Sequence, residues 1–177
     1  GINRILVETY GDAEGQGPVL TSGWIDVWYD DGDESTLAGG SLTGDLVLDA
    51  ASGPWSVTGT LTVPSGTTLT MEPGTTVFFA DGAGVAVQAG GRIVAEGTRH
   101  ARIRLTRRPG APDAWRGVSI ADSLEDNRLC FIDHEYGDGQ GRSVSVVDAV
   151  LYMDGVPILD AGGLSARVLS WPAGQWI

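Results

Sequence analysis

Cysteine is almost absent from this sequence, and its scarcity excludes several classes of protein. Cys130 is the single cysteine in 177 residues, so the chain can form neither an internal disulfide nor a cysteine-based metal knuckle. Cys130 lies in the strand-like run Leu129–Ile132, where a small buried thiol is far commoner than a nucleophile. We therefore predict a packed thiol without a catalytic role.

Long apolar runs and basic residues are also scarce. No stretch approaches the roughly 20 apolar residues that span a bilayer, and no leader peptide opens the chain, which begins at Gly1 rather than Met. Such a start is typical of a mature segment or a piece of a longer protein. The 23 acidic residues against 11 basic ones give a net charge of −12, which repels phosphate backbones. The sequence thus predicts no membrane span and no nucleic-acid partner.

Helical periodicity is missing as well, and the 27 glycines and 8 prolines punctuate the chain as in a protein of many short strands. Near the start, Ile5–Tyr10 and the alternation of Ile25, Val27 and Tyr29 predict a β-hairpin. The acidic, small-residue stretch 30–44 is interpreted as a linker. We expect a hairpin domain at 1–35 and a second domain at 36–177.

Pairs of apolar residues recur in a fixed order between Leu61 and Thr106. The two residues of each pair are spaced i and i+2, so both point to one side of a strand. The first pair recurs about 24 residues later, the second does the same, and the third recurs slightly later still. The pairs are Leu61/Val63 with Val85/Val87, Leu69/Met71 with Ile93/Ala95, and Val77/Phe79 with Ile103/Leu105.

Ordered triplets of strands are typical of a solenoid, in which each coil stacks its apolar pairs on those of the next. We predict an all-β fold: a right-handed parallel β-helix of about four to five coils with an N-terminal β-hairpin. An antiparallel sandwich also has short strands, but these would not repeat as triplets. Residues 107–114 are interpreted as an inserted loop, after which Val118 and Ile120 resume the pattern. Further strands are expected at 129–136, 144–146, 150–153 and 164–169.

The segment 59–98, with its Pro64-Ser65-Gly66 and Glu72-Pro73-Gly74 turns, resembles the opening coils of right-handed parallel β-helix regions of bacterial secreted and surface proteins. Residues 127–136 are similar to a later coil, in which His134 stands where an aliphatic residue is expected. Residues 1–30 resemble the last strands of an immunoglobulin-like module in large proteins that also carry lamin-tail and spore-coat-kinase-like domains. The resemblance implies a secreted or cell-surface location. The chain itself holds no kinase motif.

Asp133 and Glu135 are the candidate catalytic residues. An i, i+2 pair on a strand projects two carboxyl groups from one face, at a separation that suits the acid and base of an inverting glycosidase. Arg102 and Arg104 share an outer face and are candidates for gripping an acidic sugar. We favour the structural alternatives, in which Asp133 and Glu135 are solvated, outward-facing acids and Arg102 and Arg104 form ion pairs with neighbouring carboxylates.

Two further candidate sites lie near the hairpin. Asp30, Asp31, Asp33 and Glu34 cluster oxygen donors that suit calcium, although their spacing is not that of an EF-hand and a charged linker is the favoured interpretation. No other cofactor is expected. Trp24 and Trp28 lie on one face of the second hairpin strand, where exposed rings would stack on sugars and buried ones would be core; we expect burial.

These observations favour a non-enzymatic structural or adhesive module of an extracytoplasmic protein, which presents a rigid surface to polysaccharide or to a surface protein. The alternatives are a polysaccharide-acting enzyme, either a lyase or a glycoside hydrolase built on a β-helix, and a carbohydrate-binding module that acts through its tryptophans. Fold alone does not decide among them.

Overall fold

A computed structural model describes residues 2–28, 32–108, 110–112, 114–137, 144–156 and 158–159, with the backbone alone at 2–4, 26, 28, 158 and 159. The chain forms two compact units, Gly1–Asp33 and Glu34–Ile177. The boundary falls within the acidic stretch that the sequence indicated as a linker.

The first unit is an antiparallel hairpin of β1 (Ile2–Tyr10) and β2 (Val19–Trp28). Leu6 lies opposite Trp24, and the pairing shifts register between Thr9 and Tyr10. In the connecting turn, Gln16 N donates to Asp12 Oδ1 at 2.9 Å. The predicted N-terminal hairpin is therefore confirmed.

The second unit consists of three parallel sheets whose strands alternate along the chain. Sheet 1 contains β3 (Ser35–Leu37), β6 (Trp55–Val57), β9 (Thr76–Phe79), β12 (Ile103–Arg107), β15 (Ile132–Glu135) and β18 (Ile158–Leu159). Sheet 2 contains β4 (Gly40–Ser41), β7 (Thr60–Val63), β10 (Gly84–Val87), β13 (Val118–Ala121) and β16 (Val144–Val147). Sheet 3 contains β5 (Leu46–Leu48), β8 (Thr68–Met71), β11 (Arg92–Glu96), β14 (Asn127–Cys130) and β17 (Leu151–Asp154).

The chain visits sheets 1, 2 and 3 in turn, so each successive set of three strands completes one coil. From β3 to β17 this gives five coils, and β18 continues sheet 1. All neighbouring strands within the three sheets pair in parallel. The predicted parallel β-helix of four to five coils is thus confirmed.

Aliphatic side chains form continuous rows inside the coils because each strand alternates inward and outward residues. Along sheet 2, Leu61, Val85, Val118 and Val144 occupy one row in direct register. All four are at most 3% exposed. Burying such a side chain contributes about 1.5–3 kcal/mol, so the rows supply the main stabilisation of a fold that contains no disulfide.

The register of sheet 1 differs from the sequence prediction. Val77 pairs with Leu105 rather than with Ile103, and Phe79 pairs with Arg107 rather than with Leu105. The third apolar pair is therefore displaced by one inward position, because the turn before β12 is longer than its counterpart in the preceding coil. The displacement leaves an arginine at the row position beside Phe79.

Trp115 occupies the interior position beside Phe79, which the Arg107 side chain does not enter. It follows the inserted loop, is fully buried, and stacks on Phe79 with ring centroids 4.1 Å apart. On its other face lies His134, at 4.7 Å between centroids. Arg107 instead places its guanidinium over the Tyr136 ring at 4.1 Å. Offset aromatic stacking of this kind adds about 0.5–1.5 kcal/mol to simple burial.

Two sequence interpretations are corrected here. The stretch 30–44 is not wholly a linker, since β3 and β4 of the first coil lie in it. Residues 129–136 form two strands rather than one, because Phe131 adopts φ 49° and turns the chain from sheet 3 into sheet 1. The strand expected at 164–169 lies outside the described residues. Within the described part, no helix has the length and hydropathy needed to cross a membrane.

Candidate functional site

Asp133 and Glu135 lie on the outer face of sheet 1. Their neighbours Ile132 and His134 point into the core and are 1% exposed, so the alternation of β15 directs both carboxyl groups outward. Outward does not mean solvated here, since Asp133 and Glu135 are each only 6% exposed. The expectation of solvated acids is therefore wrong in its detail.

Arg102 and Arg104, in and just before β12 on the neighbouring coil, bind these two carboxylates. Arg104 donates from Nε to Glu135 Oε2 at 3.1 Å and from Nη2 to Glu135 Oε1 at 2.8 Å. Arg102 Nε donates to Asp133 Oδ1 at 2.7 Å. Its Nη2 reaches the backbone carbonyls of Ile132 and Gly155. Both oxygens of Glu135 thus face a guanidinium instead of an open groove.

The four residues that the sequence singled out for catalysis therefore come together, but as two ion pairs. A glycosidase needs one carboxyl group that protonates a leaving group and another that reaches a water or an anomeric carbon. A carboxylate held by a bidentate arginine is oriented and charge-compensated, and it is not directed toward a substrate. The geometry is that of a structural link between coils.

Trp24, a candidate for sugar stacking, is 65% exposed, contrary to the expectation of burial. Its cross-strand neighbour Leu6 is 44% exposed. Trp28 ends β2, and its side chain lies outside the described part of the structure. The hairpin therefore presents at least one open indole ring.

The predicted calcium cluster is only partly described. Asp30 and Asp31 lie outside the described residues. Glu34 pairs with Arg108 of the inserted loop, which leaves its carboxylate compensated by a protein cation. Among the described side chains, no three histidine, cysteine, aspartate or glutamate residues are grouped so that they could hold a metal ion.

Cys130 lies on the outer side of sheet 3, between Glu96 and Asp154 of the adjacent coils, and is 7% exposed. Burial raises the pKa of the Cys130 thiol, and the charges of Glu96 and Asp154 raise it further. A nucleophilic cysteine needs the opposite shift. The packed, unreactive thiol that the sequence predicted agrees with this environment.

The sequence reasoning missed a groove on the outer face of sheet 2. It has a volume of about 470 Å³ and is open to solvent along one side. Three hydroxyl groups line it, from Thr60, Ser119 and Ser145. Between them the floor is small and flat, with Gly84 and Ala86 contributing almost no side chain. No carboxylate is among the described residues that line it.

Part of the groove floor is a row of short outward side chains in direct register. Ala86, Ser119 and Ser145 line the groove and are lateral partners on β10, β13 and β16, and the same row continues beyond the groove to Thr62 on β7. A sequence signal existed, because each of these residues sits between two inward aliphatic residues. Short side chains at outward positions have no periodic signature of their own, and the pattern therefore drew no attention.

Arg116 stands at the end of the groove where the inserted loop rejoins the coil. Arg116 N donates to Ala83 O at 2.8 Å, and Gly117 O accepts from Val85 N at 3.1 Å. The close passage favours glycine at 84, where a Cβ atom would make tight contacts of 3.0 Å with Gly117 O and 3.1 Å with Arg116 Cβ. The backbone that carries the guanidinium is thus fixed to the coil.

A family model described as a pectate-lyase-like beta-helix domain matches residues 40–141, which is more than half of the 177-residue chain. The match begins at the first residue of β4 and includes the inserted loop, both arginine–carboxylate pairs and the groove residues from Thr60 to Ser119, while Ser145 lies beyond its end. No curated protein and no solved structure matches the chain. The chain belongs to the pectate-lyase-like β-helix domain family.

Proposed function

We propose that this chain is a non-enzymatic, structural and adhesive β-helix module of an extracytoplasmic protein, and that it contacts glycan chains through the sheet 2 groove. One observation carries the proposal: the acid pair available for catalysis is neutralised by arginines, while the open groove is lined by hydroxyl groups. A surface of this kind can bind a sugar chain and lacks the groups that would cleave it.

Hydroxyl-lined, shallow surfaces suit glycans because sugar hydroxyl groups both donate and accept hydrogen bonds, as serine and threonine do. The flat floor at Gly84 and Ala86 allows a pyranose ring to approach the sheet closely. The outward side chains of the groove repeat from strand to strand at a spacing of about 4.7–4.9 Å. The rigid coils hold these groups in place, which lowers the entropy lost on binding.

The rival is a polysaccharide-acting enzyme, and the family name, which refers to pectate lyase, favours it. A lyase needs a base that removes a proton from the sugar. Arg102 and Arg104, the arginines that the sequence singled out for contact with an acidic sugar, instead donate to Asp133 and Glu135 of the protein itself, so neither is directed toward a sugar proton. The resemblance of residues 1–30 to an immunoglobulin-like module and the secreted or surface location remain parts of the proposal.

The test measures retention and cleavage side by side. The whole chain is run through gels containing neutral or acidic polysaccharides, and the same mixtures are assayed for new reducing ends and unsaturated products, with and without calcium. We expect retention without cleavage. Ser119→Tyr, which fills the groove, should abolish retention, whereas Thr70→Tyr on the outer face of sheet 3 should leave it unchanged.

Cleavage that disappears in Asp133→Asn or Glu135→Gln would overturn the non-enzymatic reading. Retention that survives Ser119→Tyr but is lost in Trp24→Ala would move the glycan contact to the hairpin. Each variant is checked by thermal unfolding, so that a loss of binding is separated from a loss of folding.

A further inference from the structure

We propose that Arg116 makes the sheet 2 groove selective for mostly neutral glycan chains that carry isolated carboxylate substituents. This inference rests on the proposed function, since it names the class of glycan that the same groove takes. It is carried by the position of the Arg116 guanidinium, the only described cation that lines the groove, and by the contrast with those arginines of the coils that are engaged by the protein itself.

Most described arginines of the β-helix are engaged by the protein itself. Their partners are carboxylates, backbone carbonyls or an aromatic ring: Arg92 with Asp126, Arg102 with Asp133, Arg104 with Glu135, Arg107 with Pro112 O and Tyr136, Arg108 with Glu34, and Arg128 with Glu96 and Asp126. Among the described residues, the guanidinium of Arg116 enters no such contact. This is unexpected in a chain with 23 acidic residues.

The uncompensated guanidinium is placed for a ligand. Arg116 lines the groove together with Thr60, Ser119 and Ser145, and its side chain is exposed. Its backbone is held by the bond from Arg116 N to Ala83 O. A planar guanidinium donates two parallel hydrogen bonds to a carboxylate, while the neighbouring hydroxyl groups remain available for the uncharged part of the chain.

Charge density decides between a sparsely and a densely acidic glycan. The groove offers one described cation, which balances one carboxylate. The whole chain carries −12, and its field extends over a Debye length of about 8–10 Å at moderate salt. A polymer with a carboxylate on every sugar gains one contact at Arg116 and is repelled elsewhere. A mainly neutral chain with isolated acidic groups gains the same contact at a smaller cost.

The experiment compares three probes: hydroxyethylcellulose as the neutral chain and lightly carboxymethylated cellulose as the sparsely acidic chain, which share a cellulose backbone, and polygalacturonate as a dense polyanion with a different backbone. Binding of the full chain is measured in the presence of EDTA, so that bridging calcium does not contribute. We expect the sparsely acidic chain to bind roughly fivefold more tightly than the neutral one, which is the size of an exposed ion pair. Raising the salt should erase this advantage.

Arg116→Gln should reduce binding of the sparsely acidic chain to the level of the neutral one and leave neutral binding unchanged. The matched control is Arg99→Gln. Arg99 is exposed in the turn before β12, and its removal changes the net charge by the same amount at a distance from the groove lining. The control should keep the wild-type preference.

Three outcomes would overturn this selectivity: tightest binding to polygalacturonate, equal binding of the neutral and sparsely acidic chains, or equal losses in Arg116→Gln and Arg99→Gln. In each of these the proposed function stands, because a glycan still binds. Binding to none of the three probes would overturn the proposed function itself, and this inference with it.

Discussion

Arg104 and Glu135 join two neighbouring coils through a two-pronged ion pair on the outer face of sheet 1. Arg104 lies directly beside Asp133 in the register of β12 and β15, yet its guanidinium reaches diagonally to Glu135, at 2.8 and 3.1 Å. The side chains are 9% and 8% exposed. A pair so deeply buried is costly to break, although its formation from solvated ions contributes little.

We predict that Glu135→Leu destabilises the β-helix by about 3–5 kcal/mol, because it removes the carboxylate that accepts from both Nε and Nη2 of the buried Arg104 guanidinium. The double variant Arg104→Met with Glu135→Leu should recover most of this loss. A double-mutant cycle in urea supplies the measurement. Equal destabilisation of the single and double variants would show that the cost comes from packing rather than from the lost ion pair.

The interior stack of Phe79, Trp115 and His134 leads to a second prediction. Trp115→Ala should cost about 3–5 kcal/mol, since it removes a fully buried indole and the bond from its Nε1 to Glu135 O at 2.7 Å. Chemical unfolding of the full chain measures the change. Trp24→Ala is the matched control, because Trp24 is 65% exposed and its loss should change the unfolding of the β-helix by less than about 0.5 kcal/mol.

Periodicity predicted the inward residues of sheets 2 and 3 correctly, since a period of two fixes which side chains face the core. It also predicted the inward residues of sheet 1, but it paired them wrongly between coils, because the register depends on the length of the turns and the turn between Glu96 and Ile103 has no periodic pattern. Because the register was unknown, the sequence also did not predict which residue pairs with Glu135. The outward face of Arg104 followed from alternation, but its diagonal pairing followed from the register.

The buried polar cluster around Asn127, at the start of β14, could not be predicted from the sequence for another reason. Asn127 is fully buried: its Oδ1 accepts from Ile93 N at 2.9 Å, and its amide donates to Ser123 Oγ and to the carbonyls of Glu125 and Val150. A polar residue in a sequence indicates exposure by default. Only the fold shows that four partners from three segments converge on it.

Gly97 and Gly44 provide a third prediction, because alanine should affect stability differently at the two positions. A Cβ atom at Gly97 would lie 2.6 Å from Phe131 O and 3.0 Å from Ile103 N, so Gly97→Ala must push two coils apart at a corner. We expect a loss of about 1–3 kcal/mol. At Gly44 a Cβ atom would meet nothing within 4 Å, and Gly44→Ala should be neutral or slightly stabilising, because alanine restricts the unfolded chain.

Thermal unfolding of both glycine variants provides the measurement. A Gly97→Ala protein as stable as the wild type would mean that the corner between sheets 3 and 1 is looser than the close approach to Phe131 O implies.

The last prediction concerns acid and the corner after β5, where Asp49 organises the turn toward β6. Asp49 Oδ1 accepts from Ser52 N at 2.7 Å, and Oδ2 accepts from Ser52 Oγ at 3.1 Å. The bond from the Ser52 backbone, followed by that from its hydroxyl, lowers the pKa of Asp49 in the folded chain. The unfolded value is about 3.9. A carboxylate with a depressed folded pKa stabilises the fold above the unfolded pKa and loses that contribution as the pH falls through the folded pKa.

The stability difference between wild type and Asp49→Asn should therefore be constant between pH 5 and 7 and shrink below pH 4. Urea unfolding of both proteins across this range measures it, and a difference that stays constant or widens in acid would contradict the charged role of Asp49.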